Sequence, residues 1–404
     1  MRLRNYKVNK WLWVTLILFA VISVLTIGSA QRLIGVNDLM SRQAIWYGVG
    51  IILILIVMRI KNDFFIKYTW ILYIIGVLLL GLLLIFGSEV NNAKCWFTIP
   101  GIGTFQPSEF MKIILIITLS SMINKFNTTY PNPKCSQEFW FIIKVLFVVM
   151  IPSVLTFLQP DTGVVLIYLL ITFIMLFISG IRLRWFFLAF LILGLAIGSV
   201  VFIYFYSQEM FINIFGSSFF LRVDRLLDWS SSSGYQLENG LAAIGSGGLF
   251  GYGLNNTPIY FPEPQTDFIF AVYASNFGFI GSCFLIGLIA YFDIKLIHLS
   301  IKTSNCINKY IISGIIGMLI YQQVQNIGMT IGLLPITGIT LPFISYGGSS
   351  LLSYMLMLGF IFNISNEVIR KEKNKWKLVF YSVCASVFIS AVLNVTLVAF
   401  AVLT

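Results

Sequence analysis

Long apolar runs recur from one end of this chain to the other, and they constrain its fold more than any other feature. Each run has about 17 to 25 residues, the length that an α-helix needs to cross a hydrocarbon core of about 30 Å. The 404 residues are 58% hydrophobic and only 10% charged, too little charge for the surface of a soluble domain. We therefore predict an all-α polytopic membrane protein. Spans are expected near residues 11–29, 44–60, 68–87, 107–124, 139–158, 163–180, 185–206, 268–292, 310–331, 350–369 and 377–402.

Lysine and arginine positions predict the orientation of these spans. If the N-terminus is cytoplasmic, the cytoplasmic segments hold 20 of the 26 basic residues, as the positive-inside rule expects. The net charge of +11 then reflects topology and attraction to anionic inner-leaflet lipid, and it does not indicate nucleic-acid binding. The six basic residues outside those segments are Arg32, Arg42, Lys94, Lys112, Arg222 and Arg225.

The predicted outer side carries four longer polar stretches, at 88–108, 159–162, 207–267 and 332–349. The third is a large loop between helices 7 and 8, and it contains "AAIGSGGLFGYG". This stretch is too apolar for a solvated linker, so we expect a re-entrant or interfacial segment in a protein-lined cavity. It lacks the spacing of a nucleotide-binding loop.

Histidine chemistry, a structural disulfide and a CxxC metal site are excluded on the predicted outer side, where Cys95 is the one cysteine. His298, the single histidine, falls in an inner loop, which rules out an outward-facing Ser-His-Asp triad or a histidine-ligated metal. The five cysteines are scattered and form no CxxC pair. Chemistry there must therefore use carboxylates, lysine or arginine, hydroxyls and amides.

Carboxylates at predicted helix starts are the candidates for that chemistry, and each has a structural alternative. Glu109 and Lys112 lie three residues apart on one helix face, as a helix-end ion pair or as a pair that faces a polar cavity. Asp161, in "QPDTG", suits a turn that caps the next helix. Asp267 suits two roles equally well, a helix cap and a general base. The second role follows because a carboxylate held against apolar surface has a raised pKa.

The stretch 325–355 combines an in-span amide, Asn326, with a proline-bracketed loop and a polar helix start. Hydroxyls and bare amides at a helix N-terminus favour an anion such as a phosphate. Capping together with small-residue packing would explain the same serines. The helix start reads Ser345, Tyr346, Gly347, Gly348, Ser349 and Ser350.

Five motifs in this order resemble the RodA/FtsW/SpoVE family of bacterial shape, elongation, division and sporulation proteins. "LLPITGITLPFISYGGSS" (333–350) is similar to the family hallmark, and "QNIGM" before it resembles the RodA branch more than the FtsW branch. The resemblance runs from the first span to about residue 370, so we divide the chain into 1–370 and an extra segment, 371–404. The other four motifs are "FQPSEFMK", "QPDTG", "GYQ…AIGSGGLFG" and "TDFIFA".

The resemblance implies a ten-helix membrane glycosyltransferase that polymerises lipid II into glycan strands on the outer face. In this family the aspartate of "TDFIF" is the essential acid, which is Asp267 here, and a class B penicillin-binding protein is the usual partner. We expect Asp267 to take the proton of a sugar hydroxyl while cations, with a divalent ion such as Mg²⁺ or Mn²⁺ as a candidate, neutralise a departing diphosphate. Supporting roles are expected for Glu109, Lys112, Lys94, Asp161, Arg222, Arg225, Gln236, Ser345, Tyr346 and Ser349.

The chain also departs from the family pattern. Ser275 and Asn276 stand where a glutamate pair is usual, Tyr252 replaces a common lysine or arginine, and Gln265 replaces a common histidine. An eleventh span after the basic "RKEKNKWK" extends past the usual end. Two alternative functions remain open: a flippase for a lipid-linked precursor and, because of these departures, a non-catalytic scaffold for a penicillin-binding protein.

Overall fold

A computed structural model describes residues 9–90, 93–99, 103–217, 220 and 234–371. Within them the chain is mostly helical, as predicted. The eleventh predicted span and two candidate site residues, Arg222 and Arg225, lie outside the described residues. The elements, in chain order, are α1 (Lys10–Ile34), α2 (Leu39–Ile60), α3 (Asn62–Lys67), α4 (Thr69–Phe86), β1 (Ser88–Val90), β2 (Ala93–Ile99), β3 (Gly103–Phe105), α5 (Pro107–Thr129), α6 (Cys135–Leu158), α7 (Thr162–Ile178), α8 (Arg184–Tyr206), α9 (Gln208–Phe215), α10 (Tyr235–Ser246), α11 (Ile269–Lys302), α12 (Cys306–Thr330) and α13 (Gly348–Lys371).

The first ten predicted spans each correspond to one long helix. Within the described residues, α1, α2, α4, α6, α8, α11 and α13 are long and apolar enough to cross a membrane, and α7 is a shorter apolar helix. The remaining two, α5 and α12, are more polar because they lie inside the bundle: α5 packs against α4, α6, α7, α12 and α13. A helix surrounded by protein needs less apolar surface than one that faces lipid. The chain is a multi-pass helical membrane protein.

A small antiparallel sheet replaces the first predicted polar loop. Strand β2 pairs with β1 on one side and with β3 on the other, where Phe97 faces Phe105 and Ile99 faces Gly103. Cys95 of β2 is buried, and its thiol donates to the Gln159 carbonyl at 2.9 Å. This contact fastens the sheet to the turn between α6 and α7. The sequence interpretation had left this region without strands.

The loop 331–347 joins α12 to α13, and its second half, residues 339–345, lies inside the protein. Phe343 is 2% exposed, and its ring stacks on Phe19 of α1 with the centroids 5.3 Å apart. Buried loop carbonyls need donors because no water reaches them. Tyr47 of α2 donates to the Phe343 carbonyl, and Ser23 of α1 donates to the Ile344 carbonyl. The loop is therefore a fixed part of the bundle, held from both neighbouring helices.

Candidate active site

A cavity of about 1140 Å³ opens at the end of the bundle where α2, α5, α7, α11 and α13 begin. The loop 331–347, which we call the hallmark loop because it contains most of the hallmark motif, forms one wall, and the sheet and the start of α5 form another. Four carboxylates line it, and Arg42 is the single lysine or arginine among its described lining residues. The lining carboxylates are Glu109, Asp161, Glu263 and Asp267. Separate motifs of the sequence thus meet in one polar chamber.

Asp267 sits in the turn just before α11, partly buried. Burial is the larger cause and the negative charge of Glu263 the smaller one, and together they raise its pKa to about 7. The alternative role as a helix cap is not what the geometry shows, since Phe268 occupies the N-cap position and no side chain caps the helix. Thr266 instead donates to the Glu263 carboxylate at 2.7 Å. The carboxyl of Asp267 is thus left for chemistry in the cavity.

The hallmark loop holds the backbone around Asp267. Asn326 of α12 donates at 2.8 Å both to the Asp267 carbonyl and to the Ile339 carbonyl. Ser345 donates to the Thr266 carbonyl at 2.6 Å. A methyl group on Gly338 would lie 3.5 Å from Asp267 Oδ2, so the loop passes directly over the carboxylate. Ser345, one of the serines that suggested an anion site at the start of α13, therefore holds the backbone next to Asp267.

Glu109 and Lys112 form a buried ion pair at the start of α5. The Lys112 Nζ and Glu109 Oε2 atoms are 2.7 Å apart, and the Lys112 side chain is fully buried. Ser353 of α13 also donates to Glu109 at 3.3 Å, and Lys112 Nζ lies 5.5 Å from the centroid of the Tyr354 ring. Glu109 lines the cavity while Lys112 lies behind it. The pair thus lies against the polar cavity that the sequence analysis considered.

Asp161 both caps α7 and lines the cavity. Its Oδ1 accepts from the Val164 backbone at 3.2 Å, which confirms the predicted cap, and its Oδ2 accepts from Gln106 Nε2 at 2.9 Å. Burial raises its pKa to about 6, the Val164 and Gln106 hydrogen bonds oppose that rise, and Glu109 and Lys112 act in opposite directions. Glu109 and Asp161, which line the same cavity, therefore differ from Asp267 as candidate bases, because each carboxylate already has hydrogen-bond or ion-pair partners.

The other predicted residues have different placements. Tyr346 and Ser349 line the cavity; Tyr346 donates its backbone N–H to the Gln265 carbonyl, and Ser349 joins the start of α5 to β3. Gln236 of α10 instead donates to the Pro262 carbonyl at 3.2 Å, upstream of Asp267. Lys94 is exposed on β2 and is not among the described residues that line the cavity.

Three cavity residues were missed by the sequence analysis. Arg42 and Trp46 lie four residues apart at the start of α2, and Gln322 lies four residues before Asn326 on α12. Polar or aromatic residues at this spacing share a helix face, which was the available signal. Gln322 is 1% exposed; its amide donates to the Tyr354 hydroxyl, and its Oε1 has no hydrogen-bond partner among the described residues.

The departures at Ser275 and Asn276 do not fall in the cavity lining. Both residues are buried in α11 beside a break in that helix, where they contact the glycine-rich segment after α10. Helix α10 ends at Ser246, and the segment beyond it is irregular. Its backbone bonds to α11, but the side chains of Leu249, Phe250 and Tyr252 are exposed, so the structure does not enclose this stretch in protein as the sequence analysis expected. The replaced residues therefore alter a packing site rather than the chamber around Asp267.

Comparison with known proteins agrees with these motifs. The FTSW_RODA_SPOVE family model, described as "Cell cycle protein", matches residues 4–370. The chain is 32% identical over 383 residues to "Probable peptidoglycan glycosyltransferase FtsW" of Coxiella burnetii, an alignment that covers 90% of this chain and 97% of that protein. The predicted family, and the extent of the resemblance, are confirmed.

Solved structures share the fold. A structure described as "Structural coordination of polymerization and crosslinking by a peptidoglycan synthase complex" matches with a TM-score of 0.74 and 26% identity, over 90% of this chain and 99% of the matched one. The rod shape determining protein RodA of Thermus thermophilus matches with a TM-score of 0.64 and 25% identity, over 92% and 99%. Since these matches carry the names of both branches, the assignment to the RodA branch stays a prediction.

Proposed function

Because this chain belongs to the FtsW/RodA/SpoVE family, we propose that it is a peptidoglycan glycosyltransferase that polymerises lipid II into glycan strands. A relative of nearly the same length is named as such an enzyme, and the fold match extends over 90% of the chain. The observation that carries the proposal is Asp267, a partly buried carboxyl with a pKa near 7 on the wall of a large polar cavity. The product would serve cell-shape elongation, division or sporulation.

Asp267 acts as the general base in this proposal. Its carboxylate removes the proton from the 4-hydroxyl of an acceptor sugar as the hydroxyl oxygen attacks the anomeric carbon of the donor. The bond from that carbon to the lipid diphosphate breaks, and the diphosphate leaves with the electron pair. A base with a pKa close to the working pH combines a useful ionised fraction with enough basicity. The diphosphate is a good leaving group, so no dedicated acid is required.

Among the residues that the structure describes, Arg42 is the best-placed cation for the departing diphosphate. It lines the cavity and is exposed, whereas the fully buried Lys112 is already committed to Glu109 at 2.7 Å. A guanidinium binds phosphate oxygens through two parallel hydrogen bonds, which suits it to hold the leaving group as charge develops. Lys112 contributes a fixed positive charge from behind the cavity wall.

A divalent cation in the cavity would be held jointly by a protein carboxylate and by the phosphates of the substrate. Among the residues that the structure describes, no group of three or more His, Cys, Asp or Glu side chains is placed to hold a metal ion. Mg²⁺ is commonly bound by one or two carboxylates together with substrate phosphates. Glu263, whose charge is felt at Asp267, would supply such a carboxylate. The ion would add positive charge next to the diphosphate.

The membrane orientation and the protein partner complete the proposal. Most lysines and arginines among the described residues belong to helix ends and loops opposite the cavity, which supports a cytoplasmic N-terminus and an outward-facing cavity in the bacterial cytoplasmic membrane. One matched structure comes from a peptidoglycan synthase complex whose description names both polymerisation and crosslinking. We therefore expect a crosslinking class B penicillin-binding protein as the partner of this chain.

Purified protein in lipid nanodiscs with fluorescent lipid II tests the proposal. The intact chain should make glycan strands, and Asp267→Asn should lose at least about 100-fold of the rate, the usual contribution of a positioned base. Asp63→Asn is the matched control, because Asp63 is an exposed acid in α3 at the opposite end of the bundle. Full activity of a folded Asp267→Asn variant would rule out the general base.

The same preparation separates the two alternative functions. Labelled lipid that crosses the bilayer of proteoliposomes without forming a polymer would indicate a flippase. Neither polymer nor transport, with binding to a penicillin-binding protein intact, would indicate a scaffold. Either result would replace the proposed glycosyltransferase activity.

A further inference from the structure

Helix α11 is broken at Gly278, which has φ 64° and ψ −162°. In an unbroken helix the N–H of each residue donates to the carbonyl four residues earlier. The break separates two such pairs, Phe279 with Ser275 and Ile280 with Asn276. Four backbone groups at the break therefore need new partners, because an unpaired backbone group away from water is costly.

The glycine-rich segment after α10 supplies a partner for each of the four groups. Residues 252 and 253 donate their N–H groups to the carbonyls of Ser275 and Asn276, at 3.0 and 2.9 Å. In the opposite direction, Phe279 and Ile280 donate to the carbonyls of residues 248 and 249, at 2.9 and 3.2 Å. We call this arrangement, residues 248–253 against 275–280, the backbone clasp.

Two glycines make the clasp sterically possible. A methyl group on Gly251, at φ +76°, would lie 2.3 Å from the carbonyl carbon and oxygen of Asn276. A methyl group on Gly278 would lie 2.5 Å from the Gly251 nitrogen and 2.6 Å from the Leu249 carbonyl. Contacts this short with backbone atoms cannot be relieved by a side-chain rotation. Each glycine is thus required by the close approach of the opposite segment of the clasp.

The clasp is linked to Asp267 by the first part of α11. Residues 269–277 form a helical rod with Asp267 just before one end and the clasp at the other. At 1.5 Å per residue, the eleven steps from Gly278 to Asp267 span roughly 16 Å, so a change of about 5° at the break moves the far end by about 1.4 Å. The hallmark loop holds the rod at its Asp267 end, and the clasp holds its other end.

We propose that the backbone clasp positions the catalytic carboxylate, with Gly251 and Gly278 as positioning residues that never touch the substrate. This inference rests on the proposed function, since it assigns the geometry of Asp267 in that reaction. It also gives a role to the large loop between α8 and α11: its glycine-rich end replaces the hydrogen bonds of a broken membrane helix. The clasp lies outside the cavity lining, so lipid II need not contact it.

A graded series of alanine variants tests the clasp. Gly251→Ala and Gly278→Ala introduce both backbone clashes and left-handed strain, whereas Gly253→Ala introduces strain at φ +84° without a close contact. The controls are Gly245→Ala in α10 and Gly287→Ala in α11, where a methyl group meets nothing within 4 Å. We expect control activity near that of the intact chain, an intermediate loss for Gly253→Ala, and a loss of roughly 100-fold for the two clashing variants.

Kinetics distinguish positioning from loss of folding. A displaced Asp267 lowers kcat while the KM for lipid II stays within about twofold, because the residues that line the cavity are unchanged. The acid limb of the pH–rate profile should also move, since a carboxylate shifted by an ångström is buried differently. If the clashing variants do not fold, Gly253→Ala carries the test. Unchanged kcat in folded Gly251→Ala or Gly253→Ala overturns the proposal, as does an equal fall in every variant.

Hydrogen–deuterium exchange tests the clasp without any activity. The N–H groups of 252, 253, 279 and 280 should be protected in the intact chain and in Gly245→Ala, and should exchange at least tenfold faster in Gly253→Ala. Rapid exchange of these amides in the intact chain overturns the clasp even if glycan strands form. Protected amides in a protein that makes no polymer would instead overturn the proposed function alone.

Discussion

Removal of the charge of Glu263 should move the pH dependence of catalysis toward lower pH. Asp267 must be ionised to act as a base, and its pKa is about 7 because of burial first and Glu263 second. With that value the ionised fraction is about 9% at pH 6 and about 91% at pH 8, so kcat/KM should rise about tenfold between them. Glu263→Gln removes the second cause and leaves the first.

The direction of the shift follows from the charges. A neighbouring anion favours the protonated carboxyl, so its loss lowers the pKa of Asp267 and enlarges the ionised fraction below pH 7. The limb should still lie above the ordinary aspartate value of 3.8, since burial is the larger cause. The glutamine amide keeps an oxygen that can accept from Thr266, as the Glu263 carboxylate does at 2.7 Å.

Initial rates of lipid II polymerisation between pH 5.5 and 8.5, at constant ionic strength, provide the assay. Glu209→Gln is the matched control, because Glu209 lies in the first turn of α9 and outside the cavity lining. An acid limb that stays in place or rises in Glu263→Gln would refute the reasoning. A limb that is lost in Asp161→Asn would show that Asp161, with its pKa of about 6, titrates instead.

Three further predictions concern the buried polar groups around the cavity. Glu109→Gln should destabilise the protein by about 3–5 kcal/mol, because it leaves the charge of Lys112 buried and unpaired. The double variant with Lys112→Met should recover most of that loss. Equilibrium unfolding in mixed micelles measures both free energies. A double variant no more stable than Glu109→Gln would contradict this account. Asn326→Leu should lose about 1–3 kcal/mol for each of the two carbonyls it leaves unpaired and should lower kcat, since one of them belongs to Asp267; unaltered thermal stability would argue against it. Gln322→Met should raise the KM for lipid II about fivefold if a substrate donor reaches Oε1, a buried acceptor on the cavity wall that has no partner among the described residues; an unchanged KM would assign this glutamine to packing alone.

The spans could be predicted from the sequence because a membrane helix pairs its own backbone. Each helix satisfies its N–H and carbonyl groups within one segment, so length and apolarity identify it without knowledge of its neighbours. Predicted spans also coincide with α5 and α12, although these two helices lie inside the bundle, carry buried polar residues and are less apolar than the others. The family motifs placed Asp267 correctly beside the start of a span.

Other features were hidden because they depend on contacts between distant segments. The sheet of β1, β2 and β3 uses short strands with no strong alternation, and its pairing closes only in three dimensions. Arg42 stood in the sequence as one of six basic residues on the same side, and only the cavity distinguishes it from Lys94. The break in α11 was equally invisible, because a glycine within an apolar run is common in membrane helices.

The sequence by itself determined a multi-pass helical membrane protein, its family and the acid at the start of α11. Only the tertiary structure decided which charged groups share a chamber, which serines and amides are consumed in holding the backbone, and how a broken helix is completed by a loop from elsewhere in the chain. The physical reason is range: helix formation and membrane partitioning depend on neighbours a few residues apart, whereas the burial of Asp267 and its partners depends on residues that lie far apart in the chain.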